Sequence, residues 1–210
     1  MMYETQNHWD TIYKTKTAAQ VGWTQEVPYT SLEFIHSFNL DKTASIIDVG
    51  AGDSKLVDHL ILEGFSNLTV LDISAEALEK AKIRLGEKAK TVNWVVSDVL
   101  DFKADRAYDL WHDRAAFHFL TSPDQIKAYL DLTANSVKTY LVLGTFSETG
   151  PDQCSGLRIK KYSADTLSNT FKNEFSKIKC ITVDHITPFQ TKQNYLFCSF
   201  KKHDPSKSSL

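Results

Sequence analysis

The sequence predicts an α/β protein, a mostly parallel sheet of seven strands with helices on both faces. Three observations predict it. The run Ile46-Ile47-Asp48-Val49-Gly50-Ala51-Gly52-Asp53-Ser54 is short and apolar and ends in an acid and a glycine pair; Val70-Leu71-Asp72-Ile73-Ser74 repeats the pattern, with Asp72 twenty residues after Gly52. Strand-like and helix-like segments then alternate, and repeated β-α units build a parallel sheet covered on both sides. Last, the β-rich runs 178–186 and 195–200, joined by a turn containing Pro188, read as an antiparallel terminal hairpin.

Each element has its own signal. Residues 5–13 form an amphipathic helix with Trp9, Ile12 and Tyr13 on one face, followed by a loop holding Gly22 and Trp23. Pro28 suits the first turn of a second helix carrying Leu32, Phe34, Ile35 and Phe38. Residues 44–49 are a buried strand. Residues 54–63 are a helix with Leu56, Val57, Leu60 and Ile61 at helical period and Gly64 as its stop. Residues 68–72 are the second strand, and Ser74 caps a helix whose buried stripe is Ala77, Leu78, Ala81 and Leu85. Residues 92–96 and 108–112 are strands three and four. Ser122-Pro123 opens a helix through Ala134, residues 139–146 are the fifth strand, and residues 163–171 a further helix.

The bulk composition narrows the function classes. At 210 residues one domain is expected. The formal net charge is −2, from 24 basic and 26 acidic residues, so no basic stripe argues for nucleic acid. Cys154, Cys180 and Cys198 form no C-x-x-C and leave one thiol unpaired in any pairing, which suits a reducing compartment. The opening residues MMYETQNHWD lack a basic-then-apolar leader pattern, and no apolar run reaches spanning length. The expectation is a soluble, cytoplasmic protein with no membrane partner and no metal site, its oligomeric state open.

The glycine spacing narrows the ligand. Glycines at a strand exit let a ligand approach the backbone, because no Cβ stands in the way. An acid ending the second strand can accept ribose hydroxyls. A dinucleotide fingerprint needs a third glycine where this chain has Lys55, which argues against an NAD-linked oxidoreductase. Asp48, two residues before Gly50, instead suits the ammonium of an amino-acid moiety.

Acid-x-Gly-x-Gly with a second acid after the next strand resembles motif I of the class I S-adenosylmethionine-dependent methyltransferases. Their Rossmann-like sheet ends in an antiparallel hairpin, as the terminal strands here require. Ser54 stands where many relatives have a further glycine, and Asn135-Ser136-Val137-Lys138 where many have Pro-Gly-Gly. The resemblance implies that Asp48, Gly50, Ala51 and Gly52 lie against the methionine part, Asp72 against the ribose, and Ile73, Asp98 and Val99 around the adenine. The fourth strand exit, Trp111-His112-Asp113-Arg114-Ala115-Ala116-Phe117-His118-Phe119-Leu120, is similar to a run in small bacterial methyltransferases and would face the transferable methyl. His112 and Asp113 are therefore the candidate catalytic bases, His112 also a cofactor contact, and His118 a core residue. Trp9, Tyr13 and Trp23 resemble the N-terminal cover of thiopurine-methyltransferase-like enzymes. Residues 1–40 would then be a helical lid of the same domain, 41–202 the methyltransferase body and 203–210 a flexible tail. The loop 147–162, with Cys154, Arg158, Lys160 and Lys161, follows the fifth strand, where loops meet substrate. The implied function is methyl transfer to a small molecule or protein side chain; the alternative is an inactive S-adenosylmethionine-binding sensor or partner module.

Overall fold

Six helices and nine strands are present among residues 2–204, which the computed structural model describes; residues 205–210 of the expected tail lie outside the described residues. The helices are α1 (Met2–Thr15), α2 (Tyr29–His36), α3 (Leu56–Leu62), α4 (Ala75–Leu85), α5 (Pro123–Ser136) and α6 (Ala164–Phe171). The strands are β1 (Ile46–Val49), β2 (Leu68–Asp72), β3 (Val92–Val96), β4 (Tyr108–Arg114), β5 (Val137–Phe146), a small pair β6 (Gln153–Cys154) and β7 (Leu157–Arg158), then β8 (Phe175–Ile186) and β9 (Lys192–Lys202). The pair β6–β7 inside the 147–162 loop is the element that sequence patterning missed, because two-residue strands carry no periodicity.

The seven-stranded sheet runs β3-β2-β1-β4-β5-β9-β8. β1 to β5 are mutually parallel, and β9 inserts antiparallel between β5 and β8. Alternation along the strands divides the core. Ile47, Trp111 and Leu141 point to one face, where they meet Ile126 and Tyr129 of α5 and Leu167 and Phe171 of α6. Their neighbours Ile46, Leu110 and Val142 point to the other, where they meet Leu32, Phe34 and Ile35 of α2, Leu56 and Leu60 of α3, and Leu78 of α4. The chain winds outward from β1 to β3 and then crosses back to β4. Neighbouring loops therefore diverge at the β1–β4 boundary, which leaves a crevice at the carboxyl ends of the strands.

Local chemistry fixes the helix starts. Ser74 Oγ accepts from Ala77 N at 3.2 Å, and Ser122 and Ser163 make capping boxes with Gln125 and Thr166. Cys180 and Cys198 are directly opposite on β8 and β9 and are joined as a disulfide, while Cys154 is a free, buried thiol. One thiol is left over, as three cysteines require, but the disulfide itself does not suit the reducing compartment expected from the sequence. The pairing follows from the hairpin register, which a bulge between Lys177 and Lys179 shifts. No helix among the described residues is long and apolar enough to cross a membrane.

Candidate active site

A cavity of about 340 Å³ opens at the crevice, within the size range of small-ligand sites. β1 ends into it through Asp48, Gly50 and Ala51, β2 through Asp72 and Ile73, and β3 through Asp98 and Val99. Trp9 and Tyr13 of α1 and Trp23 of the following loop line it from the opposite side. His112, Arg114, Phe119 and Leu120 come from β4 and its exit, Gln125 from α5, and Cys154, Leu157 and Arg158 from the 147–162 loop.

The glycine turn is tight for steric reasons. Gly50 and Gly52 have φ of 61° and 57°, a region side chains avoid. A Cβ on Gly50 would lie 2.3 Å from Ala116 Cβ, and one on Gly52 would lie 2.0 Å from the Tyr13 hydroxyl. Gly52 itself sits behind the cavity wall, its N–H donating to Asp72 Oδ2 at 2.7 Å. Ser74 N donates to Asp72 Oδ1 at 2.8 Å. Burial raises the Asp72 carboxyl to about 6, against the pull of these two N–H donors. Each carboxylate oxygen keeps a second lone pair for a ligand hydroxyl. Asp98 Oδ1 accepts from Leu100 N at 2.9 Å, so this acid also shapes its own turn.

The aromatic side is one packed unit. Trp9 meets Trp23 and Phe119 edge to face, with ring centroids 5.7 and 5.3 Å apart. Asp10, the next residue on α1, accepts from Ser74 Oγ at 2.6 Å, which ties α1 to the start of α4. Burial, then the Asp72 charge, push the Tyr13 hydroxyl well above its ordinary range.

The two expected bases are placed differently from expectation. Asp113 does not line the cavity: it is fully buried, accepting from the Tyr129 hydroxyl at 2.7 Å and from Ala116 N and Phe117 N at 3.1 Å. Burial raises it to about 6, the same bonds opposing. Strand alternation is the reason, since His112 and Arg114 share one face of β4 and Asp113 takes the other. His112 does line the cavity, but both ring nitrogens are engaged. Nδ1 lies 2.7 Å from Asp48 Oδ1 and Nε2 lies 2.9 Å from Ser31 Oγ. A carboxylate only accepts, so Nδ1 donates to Asp48, and Nε2 shares the second bond with the Ser31 hydroxyl. Ser31, on α2, was not legible in the sequence as a partner of this site. His118 is a core residue, lowered to about 3 by burial.

Residues 46–139 match the family model described as a methyltransferase domain. Among curated proteins, the chain is 28% identical over 123 residues to EEF1A lysine methyltransferase 2 of Danio rerio, covering 54% of this chain and 53% of that protein. It is 31% identical over 106 residues to malonyl-[acyl-carrier protein] O-methyltransferase of Anoxybacillus flavithermus, covering 50% of this chain and 39% of that protein. The chain thus spans about half or less of the length of these relatives. Among solved structures, the N-methyltransferase NodS of Bradyrhizobium japonicum, in complex with S-adenosyl-L-homocysteine, aligns over 94% of this chain and 100% of its own with a TM-score of 0.68 at 15% identity. Magnesium protoporphyrin IX methyltransferase of Synechocystis aligns over 95% and 94% with the same TM-score and identity. Residues 46–139 thus match a methyltransferase domain model, and the chain as a whole has the Rossmann-like fold of these methyltransferase structures.

Proposed function

We propose that the protein is an S-adenosylmethionine-dependent methyltransferase. One observation carries the reading: the glycine turn at 50–52, the strand-end acids Asp48, Asp72 and Asp98, and the aromatics of α1 and its loop converge on a single cavity. The turn itself is held tight by Ala116 and Tyr13, which stand where side chains on Gly50 and Gly52 would be, and it brings Gly50 and Ala51 to the cavity wall.

S-adenosylmethionine supplies a methyl group on a sulfonium that is already a good leaving group. Within the proposal, Asp72 accepts from the ribose hydroxyls, Ile73 and Val99 flank the adenine, and Asp98 accepts from its amino group. Asp48, held by His112, presents negative charge toward the methionine ammonium. Trp9, Tyr13 and Trp23 are a lid that attracts the cation to aromatic faces and keeps water out. The acceptor lone pair forms a bond to the methyl carbon as the carbon–sulfur bond breaks, its electrons returning to sulfur as a thioether. Alignment is what the site has to contribute, worth ~7–11 kcal/mol in favourable cases. Asp113 takes no part in proton transfer here; it holds Tyr129 and the turn after β4. His112 is a positioning residue for Asp48.

The relatives' names point to different acceptors, a protein lysine in one and a malonyl-acyl-carrier-protein oxygen in the other. A small molecule or a protein side chain both fit the reading at this level, in a cytoplasmic setting. The second reading is a binding protein without turnover; the commitment of His112 to internal bonds removes a base, not the alignment that transfer needs. Calorimetric titration with S-adenosylmethionine, S-adenosylhomocysteine and NAD tests the first step. Saturable binding of the first two and not NAD is expected, and methyl transfer to any acceptor then excludes the passive binder. Absence of binding by both would remove the proposal. Asp72→Ala is expected to weaken S-adenosylhomocysteine binding by roughly tenfold or more while cooperative unfolding persists, as loss of charge-assisted hydrogen bonds predicts.

A further inference from the structure

The cavity is electrically divided. Its carboxylates, Asp48, Asp72 and Asp98, all come from the exits of β1, β2 and β3. Its guanidinium groups, Arg114 and Arg158, come from the exit of β4 and from β7. The sheet order puts β4 on the side of β1 away from β2 and β3, so the two charge types occupy different parts of the site.

Neither arginine has a carboxylate partner among the described residues. Arg114 is partly buried, and one of its N–H groups donates to Trp23 O at 3.0 Å. A guanidinium has five N–H donors in a planar fork, so most of this group's capacity is unspent. Arg158 stands at the rim on the β6–β7 hairpin, opposite Gln153. That hairpin is anchored to the β4 exit, since Lys160 N donates to His118 O at 2.7 Å. Both arginines therefore sit on supported backbone. Leaving a partly buried guanidinium without a counter-charge is unfavourable, and an oxyanion is the ligand whose geometry satisfies it.

A second feature of this end agrees. No group lining it is a ready base. Asp113 is turned away, both His112 nitrogens are engaged, and burial raises the Cys154 thiol to about 12. A protonated amine would enter among unpaired cations with nothing to take its proton. An acceptor whose nucleophilic lone pair is already available at neutral pH needs no base.

Resting on the methyltransferase reading, we propose that the acceptor is a small organic anion, a carboxylate or phosphate ester, whose oxyanion is held by Arg114 and Arg158 and takes the methyl on one of its own oxygens: the oxygen–carbon bond forms as the carbon–sulfur bond breaks, the electron pair stays on sulfur as the thioether, and no proton has to be removed. The arginines are specificity determinants of the acceptor site and leave the cofactor's binding to the strand-end acids and the glycine turn.

The test is calorimetry on the full chain with S-adenosylhomocysteine saturating. The probes are 4-hydroxybenzoate against 4-hydroxybenzamide, and phenyl phosphate against phenol. The anionic member of at least one pair is expected to bind about tenfold or more tighter, and which pair responds separates carboxylate from phosphate. Arg114→Met and Arg158→Met should each bring the pair toward equal affinity, with S-adenosylhomocysteine affinity within about twofold in Arg158→Met; Arg114→Met also frees the Trp23 carbonyl and is read by the anion preference at saturating S-adenosylhomocysteine. Arg114→Lys should restore part of the preference, and its thermal unfolding controls for folding. Equal binding within both pairs, no binding of either anion, or a preference that survives both Met substitutions overturns the proposal. So does loss of S-adenosylhomocysteine affinity in Arg158→Met, which would assign that arginine to the cofactor's own carboxylate. Failure of S-adenosylhomocysteine to bind the unaltered protein is a different result: it removes the methyltransferase reading, and the probe titration on the free protein then decides the anion site by itself.

Discussion

At the scale of single residues, the site is governed by contacts that tolerate no added atoms and by buried groups that tolerate no lost ones. Gly52 combines a φ of 57° with the Tyr13 hydroxyl where its Cβ would be. Gly52→Ala is therefore expected to push Tyr13 and α1 outward and to lower S-adenosylhomocysteine affinity by tenfold or more in calorimetry, with a destabilisation of about 1–3 kcal/mol from backbone strain. An unchanged affinity would show that the turn does not depend on the Tyr13 contact. Asp113 is the opposite case. Removing its carboxylate strands the Tyr129 hydroxyl and the N–H groups of Ala116 and Phe117 in the core. Asp113→Ala should cost roughly 3–5 kcal/mol in denaturant unfolding, whereas Asp113→Asn, which keeps an acceptor oxygen, should cost less. A catalytic base would behave differently, with near-normal stability and a collapsed turnover rate.

At the scale of elements, α1 is attached to the body by few polar contacts, and they concentrate on one helix start. Ser74 both accepts from Ala77 N and donates to Asp10, so a single hydroxyl caps α4 and docks α1. Asp10 also places a negative charge at the positive end of the α4 dipole. Lys14 adds an exposed pair with Glu76 at 3.2 Å, which contributes little by itself. Asp10→Ala is expected to reduce global stability by only about 1 kcal/mol, because Ser74 still caps α4. Hydrogen exchange across α1 should nevertheless accelerate, and S-adenosylhomocysteine affinity should fall, since Trp9 and Tyr13 travel with this helix. A uniform rise in exchange across α4 and β2 as well would mean that α1 is part of the core, and the lid assignment would fail.

At the scale of the whole molecule, legibility in the sequence follows the range of the interaction. The run-acid-glycine pattern at 46–52 and the cap at Ser74 are local, and the structure has the turn and the helix start where those residues stand. The mostly parallel sheet needed only the alternation of elements and the terminal hairpin, whereas its strand order rests on long-range pairing. Asp113 was misjudged although the period of two along β4 separates it from His112. Ser31 against His112 and Cys180 against Cys198 depend on helix placement and strand register, neither of which local patterning carries. The same long-range burial sets the protein's response to acid. His118 is buried and neutral, lowered to about 3, with Nε2 lacking a partner among the described residues. Unfolding releases it to an ordinary imidazole near ~6.5, so below that pH the unfolded chain binds a proton that the folded chain refuses. Its contribution to stability therefore declines as pH falls from about 6.5 toward 3, by roughly 1.4 kcal/mol per unit. Asp72 and Asp113 act in reverse. Raised to about 6 by burial, they bind protons in the folded state first, so their contribution grows as pH falls from about 6 toward 4. The slopes oppose each other, two carboxyls against one imidazole, and His118→Phe isolates the imidazole's side. Phenylalanine keeps the ring contacts with Phe119 and Phe146 while removing the titrating nitrogens. Denaturant unfolding at pH 7.5 and at pH 5 should show the variant gaining roughly 2 kcal/mol on the unaltered protein between the two conditions. Parallel pH dependence in the two proteins would mean that His118 is protonated in the folded core at pH 5, and that the core opens to solvate it before the sheet unfolds.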